Sequence, residues 1–130
     1  MILVDSSVWI DYFHGVESRQ TERLDSLFST NQIAVGDLIL TEVLQGFEVE
    51  KQFAEALALF QTVHLVRLGG YLISVEAARN SRRLRARGFS VRKTIDSLIA
   101  TTCILNGFEL LYNDRDFLLF EVHLGLKFFL

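Results

Sequence analysis

The sequence predicts an α/β fold, a three-layer α/β/α sandwich around a mostly parallel sheet of four or five strands. Three observations predict it. Short apolar runs recur along the chain, separated by longer helical stretches, as in parallel strands joined by right-handed crossovers. The first run, Ile2-Leu3-Val4, is apolar without alternation, as expected of a strand covered on both faces. The length of 130 residues, with 50% hydrophobic residues and 11 Phe, suits a single domain spanning residues 1–130 around one core.

The elements follow in order. Asp5 ends the first strand, and the stretch from Val8 to Phe13 is helical until Gly15 stops it. A second helix is expected over about 18–28, with Leu24, Leu27 and Phe28 inward. Gln32 to Val35 reads as a strand, and Gly36-Asp37 turns the chain into a helix over 38–47 that contains Glu42. A further helix covers 48–60, with Phe53, Leu57 and Phe60 on one face. Val63 to Leu68 is the third strand, closed by Gly69-Gly70. A long helix runs over 71–87, with Ile73, Ala77 and Leu84 on one side and Arg79, Arg82, Arg83 and Arg87 on another.

The most informative stretch is 94–117. Thr94 is the expected N-cap, and Asp96 falls in the first turn, where the helix dipole favours a carboxylate. Ile95, Leu98, Ile99, Thr102, Cys103 and Leu105 form an apolar face, and Gly107 ends the helix in the left-handed conformation it adopts cheaply. Phe108 to Tyr112 reads as a strand, followed by Asn113, Asp114, Arg115 and Asp116. A short helix over 117–122 and a last strand over 126–129 complete the chain.

Composition narrows the class. A single Cys excludes an internal disulfide and suits a reducing cytosol. The opening Met-Ile-Leu-Val-Asp has no basic segment before its apolar run, unlike a signal peptide. Glu121, His123 and Lys127 interrupt the C-terminal apolar stretch, so no membrane span is expected. A cytoplasmic protein is the expectation. The net charge of −3 conceals an asymmetry. Arg79, Arg82, Arg83, Arg85, Arg87, Arg92 and Lys93 are seven of 13 bases, and no acid lies between Ala77 and Ile95. The other six bases face all 16 acids, a balance of −10. A basic segment beside an acidic body suits phosphate contact, first through Arg92 and Lys93, which precede Asp96.

In an open α/β sheet, sites form beyond the carboxyl ends of the strands. Asp5, Glu42, Asp96, Asp114 and Asp116 all fall where that edge gathers them. Clustered carboxylates repel and lose hydration unless a cation lies between them. An all-oxygen set suits Mg²⁺ or Mn²⁺ rather than Zn²⁺. The chemistry it points to is metal-assisted hydrolysis of a phosphodiester by an activated water, with no covalent enzyme intermediate. Structural uses compete: Asp96 serving its helix dipole, Asp116 capping the next helix, Glu42 lying on a surface. Asp11 is assigned a structural role. Arg115, between two candidate ligands, is expected to touch substrate or neutralise the site. Ser7 is expected to contact phosphate, bond to a metal ligand, or cap the first helix. His14, His64 and His123 share no spacing, and Cys103 lies on an apolar face, so a Cys–His nucleophile is not indicated. Neither GxGxxG nor GxxxxGK[ST] occurs.

Four blocks, LVDSSVWIDYF, LTEVLQGF, VRKTIDSLIATTCILNGF and ELLYNDRDF, together resemble the PIN-domain ribonucleases, most of all the VapC-type toxins. The resemblance covers essentially the whole chain. It implies a compact PIN fold, a Mg²⁺- or Mn²⁺-dependent endoribonuclease, an RNA substrate, inhibition by a small VapB-type antitoxin, and a homodimer. The family's first Asp matches Asp5, its helix Glu matches Glu42, and its third acid matches Asp96. The fourth acid lies in NDRDF, at Asp114 or Asp116, with Asp114 preferred. The family's Ser/Thr after the first Asp matches Ser6 or Ser7. The implied metal ligands are Asp5, Asp96 and Asp114. Phe47, Phe53, Phe60 and the Phe-rich C-terminus then have two uses, a well-filled core or grooves for a dimer and an antitoxin helix.

Two other functions compete. An aspartyl phosphatase would place a second Asp two residues after the first, where this chain has Ser7. A catalytically silent RNA- or protein-binding module of the same fold would not need the full acid set.

Overall fold

The computed structural model describes residues 1–130. Five parallel strands, β1 (Ile2–Val4), β2 (Ile33–Gly36), β3 (His64–Val66), β4 (Glu109–Leu111) and β5 (Lys127–Phe128), form one sheet in the order β3-β2-β1-β4-β5. The sheet is wholly parallel, and both strand-count alternatives resolve to five. In β1, Ile2 pairs with Ile33 on one side and Glu109 on the other. This central strand is completely buried, which explains its unbroken apolar run. The edge strand β3 is largely exposed.

Helices α1 (Ser6–Phe13), α2 (Arg19–Leu27), α3 (Asp37–Leu44) and α4 (Glu50–Phe60) link β1, β2 and β3 and pack on one another. From β3 the chain returns across β1 to β4 through α5 (Gly70–Ala86) and α6 (Thr94–Asn106), and α7 (Leu118–Leu124) packs beside α5. Right-handed crossovers that run in opposite directions along a sheet place their helices on opposite faces. The result is the expected α/β/α sandwich. No helix is long and apolar enough to cross a membrane.

Most of the surplus Phe is core. Trp9 is fully buried, with Phe60 edge-on at 4.7 Å and Phe13 stacked at 6.0 Å. Phe47 meets Phe13 at 5.5 Å, and Phe128 and Phe129 pack against the same core. In α4 the inward positions are Ala56 and Phe60, with Leu59 against the core, while Leu57 is exposed. The expected Phe53-Leu57-Phe60 face is thus rotated. Gly36 is needed where β2 enters α3, because a Cβ there would overlap the Leu68 side chain. Asp37 Oδ1 accepts from the Leu68 and Leu38 amides at 2.9 and 2.8 Å, tying that turn to the end of β3.

Several expectations need correction. Thr94 is the first helical residue rather than the N-cap, a position taken by Lys93 in extended conformation. Along α6, Leu105 is exposed, whereas Ser97, Ala100 and Thr101 are buried, because α5 covers a side of the helix expected to be polar. Asn80 of α5 donates to Thr101 Oγ1 at 3.0 Å, which satisfies both buried groups. The cap after β4 is Asp114, not Asp116: Asp114 Oδ1 accepts from the Asp116 amide at 2.9 Å and opens a 3₁₀ turn, Arg115–Phe117. The basic face of α5 is also partly paired. Arg79 and Arg83 reach Glu76 at 3.3 and 2.9 Å.

Candidate metal centre

The strand order reverses direction at β1, so the crevice between the carboxyl ends of β1 and β4 is the switch point of the sheet. Asp5 follows β1 and Asp114 and Asp116 follow β4. Helix α6 runs back antiparallel to β4, which brings its N-terminal turn, with Asp96, to the same end. Helix α3 leaves that end after β2 and supplies Glu42 in its second turn.

One carboxylate oxygen from each of Asp96, Asp114 and Asp116 falls within 4.8 Å of the others. Asp5 stands against this trio rather than within it. It is buried, and Ser7 donates to its Oδ2 from both hydroxyl (2.8 Å) and amide (3.3 Å). Asp5 is therefore the N-cap of α1, and Ser7 has committed its proton to Asp5. Asp96 Oδ2 and Glu42 Oε1 are buried with no hydrogen-bond partner. Lys93 Nζ lies 3.8 Å from Asp114 Oδ2. Arg92 and Arg115 are exposed and belong to none of the three ion pairs. Asp11 lies outside the trio and accepts from Asn113 Nδ2 at 3.0 Å. That contact ties α1 to the segment carrying Asp114. Nothing in the sequence marks Asn113 for this contact, because its partner lies 102 residues away.

The electrostatics carry one sign. Burial pushes the Asp96 carboxyl up to about 7, and the fields of Asp5, Asp114 and Asp116 add to it while Lys93 opposes. Burial also raises Asp5, with Asp114 adding and the Ser7 hydrogen bonds opposing. Glu42 is raised by burial and then by the charge of Asp5, against Lys93. The Cys103 thiol is pushed up to about 12 by burial and by Asp5, which leaves it an inert core side chain. The cluster thus gathers like charges, part of them buried, with two orphaned oxygens, and its donors are all oxygen.

The sequence matches the PIN domain family over residues 2–121. This chain belongs to the PIN-domain family. Among curated relatives, the VapC ribonuclease Mb1587 of Mycobacterium bovis is 29% identical over 119 residues, covering 90% of this chain and 89% of that protein. A chain of the Rickettsia felis VapBC2 complex, crystallised on a promoter DNA fragment, superposes with a TM-score of 0.74 at 18% identity, covering 99% of this chain and 98% of that one. Mycobacterium tuberculosis VapC20, a toxin that cleaves the sarcin–ricin loop, superposes with a TM-score of 0.65 at 16% identity, covering 90% and 92%. These two structures share the PIN fold with this chain.

Proposed function

We propose that this PIN domain, one unit over residues 1–130, is a Mg²⁺- or Mn²⁺-dependent endoribonuclease and the toxin of a type II toxin–antitoxin pair. The observation that carries the reading is the carboxylate cluster, with Asp96, Asp114 and Asp116 within 4.8 Å and unpartnered buried oxygens on Asp96 and Glu42. Relatives named as VapC ribonucleases support the RNA substrate. Fold neighbours crystallised as toxin–antitoxin complexes support a VapB-type partner. A homodimer in the cytoplasm completes the proposal.

The donor set fits the metal. Hard, all-oxygen donors are what Mg²⁺ or Mn²⁺ takes, and three of them already lie within 4.8 Å of one another. We assign Asp96 and Asp114 of the trio, together with Asp5 beside them, as the residues that would hold the ion, with Asp116 as the alternative to Asp114 in the fourth position. When bound, the ion would polarise the phosphodiester and lower the pKa of a water for in-line attack. Glu42 Oε1, with its raised affinity for protons, is assigned as the proton acceptor from that water. Ser7 holds Asp5 through its hydroxyl and so would act on phosphate only through the ion that Asp5 helps to hold. Lys93 offsets the negative field beside Asp114, and Arg92 and Arg115 take the flanking phosphates.

A digest of total bacterial RNA tests this reading. Purified chain, free of antitoxin, is expected to give discrete fragments with Mn²⁺ or Mg²⁺ and none with chelator. Folded Asp96→Asn is expected to give none. Fragments from folded Asp96→Asn at the wild-type rate would refute it. RNA binding without cleavage, unaffected by Asp5→Asn, would instead mark a silent binding module.

A further inference from the structure

Resting on the ribonuclease reading, we propose that the cleft between α5 and α6 is a nucleotide-recognition subsite. It would hold one nucleotide of single-stranded RNA beside the phosphodiester that is cut.

The cleft has a volume of about 630 Å³, within the roughly 300–1,000 Å³ of ligand sites. Ala77 and Ser97, both buried, line it. The hydroxyls of Ser81 and Ser97, 2.8 Å apart, sit beside the apolar Leu98. Arg85 and Arg92 supply two guanidinium groups from α5 and the following loop. No carboxylate lines the cleft, although the chain holds 16 acids. The Ser81–Ser97 pair, which keeps one hydroxyl proton and acceptor lone pairs for a ligand, an apolar patch and two cations match a base edge, a base face and phosphates.

Continuity selects RNA as the occupant. A neighbouring cavity of about 340 Å³ shares Ser90, Val91 and Arg92 with the cleft and ends on Asp116. One groove therefore leads from the carboxylate cluster over Arg92 into the cleft. A strand with its scissile phosphate at the acids can lay an adjoining nucleotide between α5 and α6. The exposed face of α5 differs from this wall, because Arg79 and Arg83 are already paired with Glu76.

The experiment uses Ala78→Leu, which fills the cleft from a solvent-facing helical position with a good helix former. Arg85→Ala removes a cleft guanidinium, and Arg82→Ala, outside the cleft, is the charge-matched control. Each metal-loaded protein digests a random-sequence RNA pool, and the cut ends are sequenced. Binding of a labelled random single-stranded decamer is measured in chelator, and subunit state by gel filtration. The wild type is expected to show base preference beside the cut, flattened in Ala78→Leu. Decamer affinity is expected to fall about tenfold in Ala78→Leu and Arg85→Ala, and less in Arg82→Ala. Unchanged preference and affinity in Ala78→Leu would overturn the subsite, as would an equal loss in Arg82→Ala and Arg85→Ala with preference intact. Conversion of a dimer to monomer by Ala78→Leu would make the cleft a contact between two copies and also overturn it. Should the wild type cut no RNA, the nuclease reading fails by itself. Decamer affinity then decides the cleft, supporting it by a tenfold loss in Ala78→Leu and overturning it by none.

Discussion

Removing the Asp96 charge should stabilise the metal-free protein while abolishing its chemistry. Asp96 is buried in the field of Asp5, Asp114 and Asp116, and its carboxyl is pushed from 3.8 up to about 7. An acid whose folded pKa exceeds its unfolded value binds protons more tightly when folded. Its contribution therefore worsens as pH rises from the unfolded value through the folded one. The window here runs from 3.8 to about 7. At 1.36 kcal/mol for each unit, the full penalty is at most about 4 kcal/mol, of which about 2.5 kcal/mol develops between pH 5 and pH 8. Asp5 and Glu42 are raised as well and act with the same sign. The buried amide of Asp96→Asn costs about 1–2 kcal/mol where it finds no partner, so the net gain at pH 8 should be about 2 kcal/mol. The assay is urea unfolding in chelator across pH 5–8, for wild type and Asp96→Asn. Wild type should lose stability steadily with pH, and the variant should lose less and overtake it. A flat wild-type profile, or an Asp96→Asn protein less stable at pH 8, would refute the reasoning.

Three further outcomes are expected. Ser7→Ala removes the 2.8 Å hydrogen bond that holds Asp5 charged. RNA cleavage should fall about tenfold rather than vanish, and its rise with pH should move to higher pH in a rate profile. Gly36→Ala forces a methyl group onto Leu68 beneath the β2–α3 turn, and urea unfolding should show a loss of about 1–3 kcal/mol. Cys103, fully buried with its thiol pushed up to about 12, should resist a thiol reagent in the native state and react once urea unfolds the chain.

The legible parts of the sequence were those where one local cause dominates. Ile2-Leu3-Val4 carries no polar residue because both faces of β1 are covered, and Asp5 stands out as the acid that ends it. Gly107 marks the end of α6 because the chain there has a φ of +70°, which costs glycine little. What stayed illegible depends on packing between elements. The apolar spacing of α6 includes Leu105, which is exposed, while the hidden side includes Ser97 and Thr101, buried by α5. Their hydroxyls are satisfied by Ser81 and Asn80, contacts that no spacing within α6 reveals. Pairing on the basic face of α5 is hidden because Glu76 lies just outside the acid-free window, yet it reaches Arg83 seven residues on. Asp114 and Asp116 could not be separated from sequence, and both stand in the carboxylate trio. Their distinction lies in the backbone, where Asp114 caps the turn that carries Asp116.

The most direct test of the central claim is a Mn²⁺ titration followed by electron paramagnetic resonance on the purified, metal-free chain. A carboxylate site should remove the free Mn²⁺ signal to saturation in wild type, weaken severely in Asp96→Asn and Asp114→Asn, and remain intact in Asp11→Asn. Failure of the wild type to bind Mn²⁺, or binding unchanged by Asp96→Asn and Asp114→Asn, would contradict the account.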